Sequence, residues 1–310
     1  MGPRTYSPEP AVFDTATVLD CNGRLLRLDR ARVMGIVNVT PDSFSESGAH
    51  QGTEAAVAHG LRLAAEGADL LDVGGESTRP GAEAVDAEEE LRRVIPVIER
   101  LAAETTVPIS VDTSKAEVMR AAVAAGAGMI NDIQALRREG ALEAAAALGV
   151  PVVLMHMQGQ PRDMQDAPHY EDVVGEVHRF LAERVFAAEM AGIAKKLLVI
   201  DPGFGFGKNL QHNLSLLAGL KRFSDIGVPV LAGLSRKRSI AELSGRDGMD
   251  ERVHGSVAAH LIAAQRGALL LRVHDVAATV DALKVWQAVA EQPMPQQRPA
   301  GAAIRWPDDD

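Results

Sequence analysis

The sequence predicts an α/β protein built as a single (β/α)8 barrel. Three observations carry that expectation. Eight short Val/Ile/Leu-rich runs alternate with longer Ala/Glu/Arg-rich amphipathic stretches. Near-continuous apolar strands alternating with helices imply a parallel sheet covered on both faces. Every apolar run ends in a polar residue, which is where parallel α/β folds place their ligand sites. The 310 residues are compatible with two domains by length, and also with one barrel of about 250 residues plus extensions. An open doubly wound sheet is the alternative topology.

The elements follow in order. Strands are expected at 32–37, 68–73, 108–111, 128–130, 151–155, 196–200, 228–232 and 268–271. Helices are expected at 53–66, 87–104, 115–125, 140–148, 170–191, 213–222, 250–266 and 276–291. Ahead of the first strand, 17–28 reads as two short apolar runs around Asn22-Gly23, a strong hairpin signal. Such a hairpin could close the bottom of the barrel. The organisation expected is an N-terminal segment and hairpin over 1–31, a barrel over 32–291, and a mobile Pro/Gln/Asp-rich tail over 292–310.

Composition excludes several classes. With 46% hydrophobic and 24% charged residues, the chain is neither disordered nor low in complexity. A net charge of -10 argues against generic nucleic-acid or anionic-membrane binding. A single cysteine, Cys21, rules out an internal disulfide framework and multi-cysteine metal sites; beside the turn and without a motif, it reads as inert. The first thirty residues lack a signal-peptide apolar region, and no run is long enough to span a bilayer, so a cytoplasmic protein is expected.

The polar edge has a chemical meaning. Its cations are Arg79, Arg236, Lys237, Arg272 and His274; its carboxylates are Asp72, Asp112, Asp201 and Asp275. An isolated Asp or Asn after a strand is often a helix cap, but Arg, Lys and His are not. Cations on the loops of an acidic protein suggest a phosphate or pyrophosphate site. Carboxylates and amides suggest a ligand edge rich in N–H donors. A phosphorylated ligand with a nitrogen-rich ring fits both. Walker, GxGxxG and HExxH spacings are absent.

The segments VMGIVNVTPDSFSESG (33–48), GGESTRPGA (74–82), SVDTSK (110–115), IND (130–132), LMHMQG (154–159), DPGFGFGKN (201–209), SRK (235–237) and RVHDV (272–276) occur in that order. Together they resemble the dihydropteroate synthase family of pterin-binding enzymes, over nearly the whole chain. The resemblance implies a (β/α)8 barrel, Mg2+ as cofactor, a homodimer, and a folate-synthesis transferase inhibited by sulfonamides. The family joins 6-hydroxymethyl-7,8-dihydropterin diphosphate to 4-aminobenzoate, giving 7,8-dihydropteroate and pyrophosphate.

Carried over residue by residue, the resemblance makes Asp112, Asn131, Asp201 and Lys237 pterin contacts. It places Asn38 at the magnesium and diphosphate position, and Arg79, Arg272 and His274 around the diphosphate. Thr78 and Ser235 become substrate contacts, and Phe44, Pro80 and Phe206 the apolar slot for the aminobenzoate ring. Asp112, Asp201, Lys237, Arg272 and His274 are the expected catalytic set. Substitution at the pterin methylene is expected to be dissociative, with loops 40–52 and 76–85 excluding water.

Blander readings stand beside these. His156 reads as a core histidine, Met155 and Met157 as barrel lining, and Lys115 and Lys208 as solvated loop charges. Asp72 is either a ligand contact or an orienting group. After the serine of the first loop the chain reads Glu46-Ser47-Gly48-Ala49-His50, where many family members have Asp-Gly-Gly; Arg238 stands where some have Ser or Thr. Rival functions are a catalytically silent paralogue, a methyltetrahydrofolate-using methyltransferase, and a Schiff-base aldolase using Lys237.

Overall fold

In a computed structural model, the structure describes residues 16–39, 48–77, 85–159, 164–165 and 167–292. The chain opens on an antiparallel hairpin, β1 (Thr17–Cys21) and β2 (Arg24–Leu28). Asn22 and Gly23 both have positive φ, 56° and 84°, the geometry of a two-residue turn that matches strand twist.

Eight parallel strands then close a barrel: β3 (Arg32–Asn38), β4 (Leu70–Gly74), β5 (Ile109–Asp112), β6 (Met129–Asp132), β7 (Val152–Met155), β8 (Leu198–Asp201), β9 (Val230–Ala232) and β10 (Ala268–Val273). β10 pairs with both β3 and β9, which closes the ring. The helices between them are α1 (Gly48–Ala65), α2 (Ala87–Glu104), α3 (Ala116–Ala124), α4 (Ala141–Leu148), α5 (Val173–Met190), α6 (Leu210–Ala218), α7 (Arg238–Ser244), α8 (Val253–Gln265) and, after β10, α9 (Val276–Ala290). No helix among the described residues is long and apolar enough to cross a membrane.

Each expected strand is present within about two residues. The differences lie in the helices. The stretch expected at 213–222 divides into α6, capped by the Asn209 side chain on the His212 amide, and a 3-10 segment, Leu220–Ile226. Gly219 separates them; a Cβ there would approach Val174 to 3.1 Å. The stretch expected at 250–266 begins as a 3-10 turn, Met249–Arg252, before α8. α7 is unanticipated: seven residues are too few to show a periodic pattern.

Strand alternation builds two cores. Outward residues such as Val33, Leu71, Ile109, Ile130, Leu154 and Ile200 pack against the helices. Inward residues Met34, Leu70, Met129, Val153, Val199, Leu231 and Leu270 meet Leu19, Cys21, Leu26 and Leu28 of the hairpin. The hairpin therefore plugs the barrel at its N-terminal end. Burying each of its three leucines is worth roughly 1.5–3 kcal/mol. Arg24 fastens the hairpin to the wall by donating to Val107 O (2.8 Å) and Ala102 O (2.6 Å). Burial pushes the Cys21 thiol up to about 12, with Asp20 adding to the shift; the thiolate needed for reactivity is suppressed.

The plug leaves no room at the start of β6. A Cβ on Gly128 would lie 2.2 Å from Cys21 O. Gly128→Ala is expected to cost about 1–3 kcal/mol, the scale of overpacking. Urea unfolding measures it; an unchanged midpoint would show that the hairpin does not bear on β6.

Candidate active site

Period two, counted from the inward ring at the plugged end, sets which side chains face the other mouth. Leu70 leads to Asp72, Met129 to Asn131, Val153 to Met155, Val199 to Asp201 and Leu270 to Arg272. Asp112 stands level with Gly74 on one side and Asn131 on the other. A Cβ at Gly74 would approach the Asp112 Cβ to 3.3 Å, so glycine makes room for that carboxylate.

Arg272 organises this group. Its Nε donates to Asp72 Oδ2 at 2.6 Å and its Nη2 to Asp112 Oδ2 at 2.7 Å. Asn131 Nδ2 donates to the same Asp72 oxygen at 3.0 Å. Asp72, with no exposed surface, thus orients Arg272 and Asn131. Two buried carboxylates share one guanidinium. Desolvation outweighs Arg272 at Asp112 and, with Asp72 opposing a second charge, pushes it up to about 7. Asp201 is pushed up to about 6, again by burial first, against its bond from the Gly203 amide (2.7 Å) and nearby Lys237 and Lys208.

Lys237 completes the pocket. Its Nζ lies over the Phe206 ring, 4.2 Å from the centroid. Burial, then the charge of Arg272, lowers it to about 8. Phe206 packs with Met155, Met157 and Met164, so Met155 and Met157, expected as barrel lining, are buried beside it. At the end of β10, Ser235 Oγ accepts from the His274 amide (3.1 Å) and lies 3.0 Å from its Nδ1. Burial and neighbouring Arg272 lower His274 to about 3. It is a neutral imidazole here, not one of the edge's cations.

The loop bearing Phe206 is held from below. Lys208, expected as a solvated charge, is 2% exposed. Its Nζ reaches His156 Nδ1, Gly203 O and Phe206 O, each at 2.9 Å. Lys115, the other lysine expected in solvent, is also 2% exposed and pairs with Glu76 (2.5 Å) and Glu90. Lys208 thus joins the distant His156 to carbonyls of its own loop, and Lys115 finds Glu90 on α2 and Glu76 after β4. His156 is a buried core histidine, edge-on to Phe180 with centroids 4.9 Å apart.

Other residues of the polar edge and the motifs sit apart from the cluster. Asp132 points out of the barrel, where Ser114 Oγ and the Gln134 and Leu136 amides donate to it. Arg236 turns to Asp275 and Asp250 instead of the mouth. Asn38 is exposed at the end of β3. Phe44, Thr78, Arg79 and Pro80 lie outside the described residues, as does most of both expected loops. Of the two readings open for Asp72, ligand contact or orienting group, its bonds to Arg272 and Asn131 fit the second; the role of Lys208 was missed in sequence.

The family described as pterin binding enzyme matches residues 34–274. The dihydropteroate synthase of Escherichia coli (strain K12) is 54% identical over 270 residues, covering 87% of this chain and 95% of that one. The chain belongs to the dihydropteroate synthase family. Two solved structures of the family place it closely in space. A Xanthomonas albilineans dihydropteroate synthase with 4-aminobenzoic acid is 74% identical, with a TM-score of 0.86, covering 90% of this chain and 100% of that one. The same organism's enzyme in complex with 7,8-dihydropteroate is 71% identical, with a TM-score of 0.82, covering 89% and 100%.

For this dihydropteroate synthase family member, the Lys208 clamp gives a direct stability test. Lys208→Met leaves buried carbonyls without a donor, at an expected cost of about 1–3 kcal/mol. Thermal melting at neutral pH checks it; an unchanged midpoint would mean the loop holds itself.

Proposed function

We propose that this chain joins 6-hydroxymethyl-7,8-dihydropterin diphosphate to 4-aminobenzoate, forming 7,8-dihydropteroate and pyrophosphate. The observation that carries the reading is the buried and half-buried cluster of Asp112, Asn131, Asp201, Lys237 and Arg272 at the barrel mouth of a dihydropteroate synthase family chain. Two carboxylates and an amide suit the N–H-rich edge of a pterin, since buried polar edges need partners. Lys237 offsets the carboxylates, and its place over Phe206 puts an apolar ring beside the reacting end. Phe44, Thr78, Arg79 and Pro80 join the proposal from the family resemblance alone.

In the reaction the bond between the pterin methylene carbon and the diphosphate oxygen breaks. The arylamine nitrogen forms the new bond to that carbon and loses a proton. The nucleophile is weak and neutral, and the leaving group carries the charge, so a dissociative path is favoured. Arg272 and His274 would stabilise the departing anion. Arg272 is partly exposed (22%), and its Nη1 has no partner among the described residues, so one edge of the guanidinium can face a phosphate. His274, neutral, would donate from Nε2. Asp112 and Asp201 would stabilise positive charge on the ring.

Magnesium belongs to the same proposal. Among the described residues, no group of three His, Cys, Asp or Glu could hold a metal ion. An exposed Asn38 amide oxygen suits an ion carried mainly by the diphosphate, the usual mode for Mg2+. When bound, it would neutralise charge on the leaving group. A cytoplasmic homodimer and competition by sulfonamides complete the proposal, on the family resemblance.

The decisive measurement is pyrophosphate release with Mg2+, with and without 4-aminobenzoate. Release that depends on aminobenzoate and yields dihydropteroate is expected; tight pterin binding without product would indicate a silent paralogue. Asp112→Asn and Arg272→Ala should each lower turnover by at least about a hundredfold with the fold retained by circular dichroism. Near-normal turnover would remove them from the catalytic set.

Pterin affinity should also depend on pH. A carboxyl whose folded value is raised is ionised only above that value. The acceptor form of Asp201 is therefore complete well above about 6 and is lost as pH falls through it. Affinity measured by calorimetry should weaken as pH falls through about 7, where Asp112 loses its ionised form, and further through about 6, where Asp201 does; a flat profile from pH 5 to 8 would contradict the role.

A further inference from the structure

Between Ser235 and Lys237 the backbone is strained. Arg236 has φ of 58°, left-handed for a residue that is neither glycine nor asparagine. Such conformations persist where the surroundings over-determine them, and they gather at functional sites. The surroundings here are unusually complete. The Leu234 amide donates to His260 Nε2 (3.2 Å), and the Arg236 amide to Ser256 Oγ (2.9 Å). Arg252 Nη1 donates to Arg236 O at 2.9 Å. The Arg236 guanidinium grips Asp275 with two bonds, Nε to Oδ2 at 3.1 Å and Nη2 to Oδ1 at 2.6 Å. Its Nη1 reaches the exposed Asp250 at 2.7 Å.

The chain order gives this pairing its meaning. Arg236 directly precedes Lys237, and Asp275 directly follows His274. The two-bond pair lies between the loop after β9 and the loop after β10, beside the Ser235–His274 contact. We propose that Arg236 and Asp275 form a positioning pair that fixes Lys237 and His274 relative to each other, and that neither touches substrate. The left-handed turn at Arg236 lets Ser235 and Lys237, on either side of it, both serve the pocket while the guanidinium points away. Asp275 makes no side-chain cap to α9, so its carboxylate is left for this contact. The proposal rests on the reading of Lys237 and His274 as substrate contacts.

The test combines a double-mutant cycle with amide hydrogen exchange. Arg236→Ala and Asp275→Ala should each lower kcat/KM for the pterin diphosphate about tenfold, the scale of a lost charged hydrogen bond. The double variant should be little worse than the poorer single, because the two act as one unit. Asp250→Asn, which removes only an exposed partner, should match wild type. In Asp275→Ala, amides 234–238 should exchange faster, with β3 to β8 unchanged. Multiplicative losses, wild-type kcat/KM in both single variants, or unaltered exchange would each overturn the pairing. If the unmodified protein makes no dihydropteroate, the functional reading fails instead, and exchange alone then decides whether the pair holds the turn.

Discussion

Two carboxylates inside the barrel, Asp72 and Asp112, depend on a single guanidinium, that of Arg272. Buried carboxylates without a cation would be costly, and a buried guanidinium without carboxylates equally so. The three groups come from β4, β5 and β10, strands separated by up to 200 residues. Their contact requires that the barrel close with β10 beside β3 and β3 beside β4. The site is thus the place where closure of the sheet is expressed as chemistry. The cluster is short of donors, since Asp72 Oδ1 has none among the described residues, and burial first, with the charge of Asp72 adding to it against the pull of Arg272, holds Asp112 well above the ordinary carboxylate range. A pterin edge that brings N–H donors would relieve that shortage.

The opposite mouth is built on a different principle. There the hairpin fills the barrel with leucines, and only a glycine at 128 allows its backbone to come so near. One end is apolar and sealed; the other is polar and open. Strand alternation carries both, because the same inward face runs from Leu70 to Asp72 and from Leu270 to Arg272. The packed bottom ties together the strands whose upper ends carry Asn131 and Asp201.

Around the upper ring, buried and half-buried charges hold the loops. Lys208 gathers carbonyls of the glycine-rich loop, Lys115 joins Glu76 to Glu90, and Arg236 takes Asp275. Sequence reading assigned the first two to solvent and the third to anion binding. A charged residue on a loop shows its type but not its partner, and partners such as Glu90 on α2 or Asp275 after β10 lie far away in sequence. Asp132 ends a strand as Asp112 does, but one residue out of phase with Asn131, so it faces the helices.

The sequence by itself determined the alternation of strands and helices, the hairpin at Asn22-Gly23, the edge where polar residues gather, and the family motifs. All of these depend on local pattern: periodicity, turn chemistry and the order of residues along the chain. Tertiary structure alone decided which of the edge charges face the pocket and which pair with one another. That choice is made by closure of the barrel, which brings Arg272 to Asp72, Lys208 to His156 and Arg236 to Asp275. Burial then shifts the charge states of Asp112, Asp201, Lys237 and His274, and burial is a property of neighbours that no single segment contains.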